Sequence, residues 1–164
     1  MILKETPLAS TDSDYIKWDP KFEIGIPVID EQHKKLVELC NNSYQALIKQ
    51  RTSGSTWEQS LSGTLHECVE YVQTHFKDEE KLMAACGYPG FQEHKKVHES
   101  FIKKIIETSH SFQGAGAGNS AFKFVKFLYD WILSHIAHED KLYVRSVLEY
   151  YRQKKMQGSN QQSS

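Results

Sequence analysis

The sequence predicts an all-α chain: an up-down-up-down antiparallel four-helix bundle preceded by an irregular N-terminal arm. Two observations carry this expectation. Four stretches repeat apolar residues at steps of three and four, and none sustains the alternation of a strand. The segments between them, "RTSGS", "CGYPG" and "GAGAG", are short and rich in Gly, Ser and Pro, and loops this short join antiparallel neighbours.

The first 15 residues read as a tail and the bundle domain as 16–154. The arm holds Pro7, Pro20 and Pro27, and its "YIKWDPKFEIGIPVID" carries enough apolar residues to pack onto the bundle. The first helix is expected over about 31–50, with His33, Leu36, Cys40, Tyr44 and Leu47 on one stripe. The second, about 56–85, carries Trp57, Leu61, Leu65, Cys68, Val72, His75, Glu79 and Met83; Ser55 and Glu58 would form a capping box at its start. The third, about 90–112, carries Phe91, His94, His98, Phe101, Ile105 and Phe112. The fourth, about 119–154, is capped by Asn119 and carries Phe124, Leu128, Trp131, His135 and Leu142. Residues 155–164 read as a disordered polar tail.

Bulk properties narrow the function. The chain of 164 residues has a formal charge of −1, which argues against nucleic-acid binding, since that needs a clustered basic surface. No apolar run is long enough for a signal peptide or a membrane span. Cys40, Cys68 and Cys86 are odd in number and widely spaced, so they read as reduced thiols and place the chain in the cytoplasm. The anomaly is the eight histidines.

Polar residues occupy core-stripe positions on all four helices: His33, His75 with Glu79, His94 with His98, and His135. Burying each without a partner costs roughly 1–3 kcal/mol. A shared metal satisfies them together. Imidazole and carboxylate without paired thiolates suit iron, zinc, copper or manganese and do not suit calcium. One four-coordinate zinc would leave several of these residues unused, whereas two carboxylate-bridged ions use more of them. On the fourth helix, spacing alone favours Glu139, at i+4 from His135, as the second carboxylate. Asp140, at i+5, is displaced by roughly 140° around a regular helix.

The stretches "WDPKFEIGIPVIDEQHKKL", "HFKDEEKLM", "GYPGFQEHKKVH" and "WILSHIAHEDKLY" resemble the hemerythrins, specifically the bacterial single-domain kind, from Trp18 to about Tyr143. The resemblance implies a non-haem di-iron centre that binds dioxygen reversibly. His94, His98 and His135 would hold one iron, His33 and His75 the other, with Glu79 and Asp140 bridging. It thus prefers Asp140 to Glu139, and a local distortion of the fourth helix is one way to bring that short side chain inward. Five imidazoles, two carboxylates bridging through both oxygens and one solvent-derived oxygen would fill about eleven of about twelve octahedral positions. The open position falls on the iron with two histidines. By the same resemblance Leu36, Phe76, Trp131, Ile132 and Ile136 line the oxygen pocket.

Three other readings compete with an oxygen carrier, store or delivery protein: a di-iron enzyme acting on peroxide or nitric oxide, an oxygen-sensing module, and a zinc-stabilised structural bundle. Ferritin-like di-iron enzymes use paired Glu-x-x-His motifs. Here that form occurs once, as "ETSH" (Glu107, His110), off the stripe, which favours binding over catalysis. His66 and His110 are expected to face solvent, His138 to lie near the surface or behind a ligand, and Cys40 to pack in the core.

Overall fold

The structure is a computed structural model that describes residues 15–49, 57–109 and 117–161. It is a helical bundle of α1 (Pro27–Lys49), α2 (Trp57–Cys86), α3 (Phe91–Ser109), α4 (Ala117–Ser134) and α5 (Val144–Gln161). Helix α1 packs on α2 and α4, and α2 also packs on α3 and α5. Among the described residues no helix is long and apolar enough to cross a membrane.

The arm docks as its apolar content predicts. Asn41 on α1 holds it by two hydrogen bonds of 2.9 Å, accepting from the Ile16 amide and donating to the Ile16 carbonyl. A 3-10 turn over Pro20–Phe22, capped by the Asp19 side chain, then buries Phe22. Helix α1 begins at Pro27, four residues before its expected start. Proline belongs at a first helical position, where its φ is already helical and no amide hydrogen is needed. Asp30 secures the entry by accepting from the Ile24 and Gly25 amides at 2.7 and 3.1 Å, with Gly25 at φ +79°. Between α2 and α3, Gly87 adopts φ +65° and the Tyr88 amide donates to the Met83 carbonyl at 3.0 Å. That reverse turn closes the helix end and permits an immediate second helix.

The expected fourth helix is not continuous. After α4 comes a π-helical turn, His135–Glu139, in which the Asp140 amide donates to the His135 carbonyl five residues back. A 3-10 turn, Asp140–Leu142, follows before α5. Helix α4 starts at Ala117, inside the segment read as a loop, so Asn119 lies in its first turn rather than at its cap. Helix α5 continues to Gln161, into the stretch read as a tail. Its composition is polar because residues 151–158 are all exposed, which helix formation alone permits. Ser55, the Glu58 side chain, His110 and Phe112 lie outside the described residues.

The core divides into two apolar layers. The larger contains Leu36, Val72, Phe76, Phe101, Ile132 and Ile136. The smaller contains Ile24, Ile26, Ile29, Met83, Tyr143 and Val147. Along each helix the inward histidines and carboxylates fall between these layers: His33 between Ile29 and Leu36, Glu79 and His75 between Met83 and Val72. A polar slab is thus enclosed above and below by hydrocarbon.

Candidate metal centre

Every polar residue singled out on a core stripe is buried. His33, His75, Glu79, His94, His98, His135 and Asp140 are each at most 5% exposed. They form two sets of potential ligand atoms: Glu79, His94, His98 and His135 in one, and His33, His75, Glu79 and Asp140 in the other. Within each set the atoms lie within 4.8 Å of one another. Glu79 belongs to both.

The π turn explains how Asp140 arrives. By adding a residue to one turn, it rotates i+5 onto the face that i+4 occupies in a regular helix. Asp140 is fully buried, with Oδ1 2.9 Å from His135 Nε2 and 3.5 Å from His94 Nε2, and Oδ2 3.1 Å from His33 Nε2. Its two oxygens therefore face the two sets. Glu139, the choice from regular spacing, is half-buried and in neither set. The two oxygens of Glu79 have different neighbours. Its Oε2 alone faces both sets, 3.5 Å from His75 Nε2 and 3.4 Å from His98 Nε2. Its Oε1 accepts a 2.6 Å hydrogen bond from the buried Tyr143 hydroxyl.

Whether these residues fit a metal is decided by the atoms left without partners. Nε2 of His33, His75 and His94, Oε2 of Glu79 and both oxygens of Asp140 are buried without a hydrogen bond. Native interiors rarely leave such a group unmet, and a cluster of them facing one point calls for a cation. The spacing agrees. Ligands about 2.1 Å from one ion and at right angles to each other lie about 3 Å apart. His98 Nε2 and His135 Nε2 are 3.1 Å apart, a contact that two ring nitrogens sharing an ion would make.

The outward nitrogens of His33, His75 and His98 have their own partners, which fix these rings with Nε2 inward. His33 Nδ1 donates to the Phe22 carbonyl at 3.2 Å, His75 Nδ1 to Gln32 Oε1 at 3.0 Å, and His98 Nδ1 to Glu80 Oε1 at 3.1 Å. Gln32 is itself oriented, since its amide donates to Asp78 Oδ2 at 2.9 Å. His135 differs: its Nδ1 has no partner among the described residues, and Trp131 stacks on the ring at 4.4 Å.

The electrostatics follow from burial. Burial pushes the His94 imidazole down to about 4, assisted by His135 and His98 nearby, and burial likewise lowers His75. Both stay neutral, as a ligand must. Burial alone would raise Asp140, but the His135, His33 and His75 imidazoles together outweigh it and hold the carboxyl below the ordinary range. Burial also lowers His135, and the Asp140 and Glu79 carboxylates more than reverse it. Tyr143 is driven up, by burial first and then by Glu79 and Asp140, and remains a hydrogen donor.

Leu36, Phe76, Trp131, Ile132 and Ile136 converge with Val72 on one narrow apolar recess, too tight for a water molecule, whose remaining walls are His75 and His135. His66 and His138 are exposed; His66 Nε2 lies 3.4 Å from Glu70, and His138 Nδ1 donates to the Ser134 carbonyl at 2.9 Å. Cys40 and Cys68 are buried in the larger core layer, and all three cysteines are unbridged. Gln32, Glu80 and Tyr143 were not anticipated as part of the site, although each sits beside a motif residue: before His33, after Glu79 and three past Asp140.

Comparison with known proteins agrees with this geometry. The family model described as the hemerythrin HHE cation binding domain matches residues 24–147. The bacteriohemerythrin of Stenotrophomonas maltophilia (strain R551-3) is 32% identical over 136 residues, 83% of this chain and 84% of that one. That of Pseudomonas aeruginosa (strain LESB58) is 34% identical over 134 residues, 81% of this chain and 82% of that one. That of Clostridium acetobutylicum (strain ATCC 824) is 33% identical over 131 residues, 77% of this chain and 97% of that one. Crystal structures of two hemerythrin mutants superpose with TM-scores of 0.65 and 0.67 at 24% identity, covering 82% of this chain and 98% of theirs, which establishes a shared fold. The chain belongs to the hemerythrin family.

Proposed function

We propose that this protein binds dioxygen reversibly at a non-haem di-iron centre, as a carrier, store or delivery protein. His94, His98 and His135 would hold one iron and His33 and His75 the other, with Glu79 and Asp140 shared between the two. The observation that carries the reading is the apolar recess of Leu36, Phe76, Trp131, Ile132 and Ile136, which borders both sets, at His75 of the two-histidine set and His135 of the three-histidine set. When bound, a ferrous pair would supply the two electrons that a small ligand such as dioxygen takes up reversibly.

The chain's own residues supply the rest. Phe22, Gln32 and Glu80 aim three rings, so the site is assembled before the ligand arrives. Phe76 stacks on His98 at 3.6 Å and Trp131 on His135 at 4.4 Å, and these rings cover the imidazole faces with hydrocarbon. The pocket walls exclude water and protons, which slows irreversible loss of the ligand in reduced form. Five imidazoles against two carboxylates make a histidine-rich site, which favours binding over the oxidation chemistry of carboxylate-rich di-iron enzymes.

The test is the absorption spectrum of the ferrous protein, prepared without oxygen, exposed to air and then purged. One stable adduct that disappears on purging supports the reading. Steady consumption of an added reductant with no stable adduct assigns an enzyme instead.

A further inference from the structure

The outward acceptors of the inward histidines are chemically unequal. His33 donates to a backbone carbonyl, His75 to a neutral amide, and His98 to the Glu80 carboxylate. Glu80 sits where the site meets solvent: it is 22% exposed, and together with Phe76, His98 and Lys95 it lines a groove between α2 and α3. Lys95 Nζ lies 3.8 Å from Glu80 Oε2, on the side away from His98. The chain therefore places a negative charge directly behind one imidazole of the three-histidine set and a positive charge behind that.

We propose that Glu80 is a positioning residue that sets the reduction potential of the centre through His98, with Lys95 as its counterweight. The inference rests on the di-iron reading above. A carboxylate accepting the Nδ1 proton draws that proton away from the ring and increases the electron density at Nε2. A more electron-rich ligand favours the higher oxidation state of the ion it holds, and hydrogen bonding behind a ligand is a recognised means of shifting metal potentials. The two-histidine set has only neutral acceptors among those observed, so the centre is built with unequal halves. The half backed by Glu80 loses its electron more readily.

Lys95 gives the inference a signed test. Its charge opposes that of Glu80, so removing either residue must shift the potential in opposite directions. A role confined to holding His98 in place would not produce that reversal. Glu80→Gln keeps an oxygen acceptor of the same reach and removes only the charge. Lys95→Met keeps the aliphatic stem.

The experiment measures the reduction potential of each iron-loaded protein by spectroelectrochemical titration, together with the rate of oxidation in air and the iron content. Glu80→Gln, which keeps an acceptor for His98 Nδ1, is expected to raise the potential and slow oxidation in air. Lys95→Met is expected to lower the potential and speed oxidation, with iron content in both matching the parent. Equal potentials in all three proteins overturn the proposal. So does a shift of the same sign in both variants, or iron loss in Glu80→Gln, which would make Glu80 a mere support for the ring. The iron count of the parent protein, taken first, separates failure of the di-iron reading from failure of this one.

Discussion

Replacing Tyr143 by Phe removes one oxygen and keeps the ring. The phenol is 0% exposed and its hydroxyl donates to Glu79 Oε1 at 2.6 Å. The remaining Glu79 oxygen has no hydrogen-bond partner, so in the metal-free protein this phenol is the direct donor that the carboxylate has. A hydrogen bond to a charged acceptor is worth about 1.5–3 kcal/mol, and leaving a buried carboxylate oxygen unmet forfeits all of it. A loss of about 2 kcal/mol corresponds to a fall in Tm of about 4–8 °C in a chain of this size. With a urea slope near 2 kcal/mol/M the unfolding midpoint drops by about 1 M. The assay is urea unfolding of metal-free protein followed by circular dichroism, beside the iron affinity of the refolded variant, which should weaken about tenfold. A midpoint within about 0.2 M of the parent would refute the reasoning, because the phenol would then hold no charge in place. The ring packs edge-on against His94 at 5.7 Å, and phenylalanine preserves that contact.

Three further outcomes follow from the geometry. Asp140→Ala should remove iron from the site, whereas Glu139→Ala, altering a half-buried residue in neither ligand set, should leave the iron content near that of the parent; metal analysis that ranks them the other way would reinstate the regular-helix assignment. Trp131→Ala, which uncovers His135 and opens the pocket, should speed oxidation of the air-exposed ferrous protein by about tenfold or more, read from the decay of its adduct spectrum. Metal-free protein should be most stable near pH 6.5. Below it, His94, held at about 4, and His75, also lowered, bind fewer protons folded than unfolded, so stability falls towards pH 4. Above it, the raised His135 binds more protons folded than unfolded, so its contribution is lost as pH rises through its folded value. Urea midpoints across pH 4–9 that rise monotonically would contradict that balance.

The site was legible in the sequence wherever a regular helix does the placing. His94 and His98, or His75 and Glu79, share a face by i, i+4 spacing, and the structure buries each of them. Asp140 was not legible by spacing, because periodicity assumes 3.6 residues per turn and the π turn over His135–Glu139 breaks that assumption. Only the family resemblance pointed to it. The same break ended the expected fourth helix, since no proline or glycine marks it. The early start at Pro27 is not legible from the three prolines of the arm, because a proline fits a first helical turn as readily as an irregular segment. Gln32, Glu80 and Tyr143 were out of reach for a different reason. Their roles depend on contacts between elements distant in sequence, as with Glu80 and His98 on α2 and α3, and a linear pattern holds no such information.

The most direct test of a paired centre is anomalous diffraction at the iron edge from crystals of the iron-loaded protein. Two peaks per chain, about 3.5–4 Å apart and lying between Glu79 and Asp140, are the expected result. A single peak, or peaks away from His33, His75, His94, His98 and His135, would contradict it.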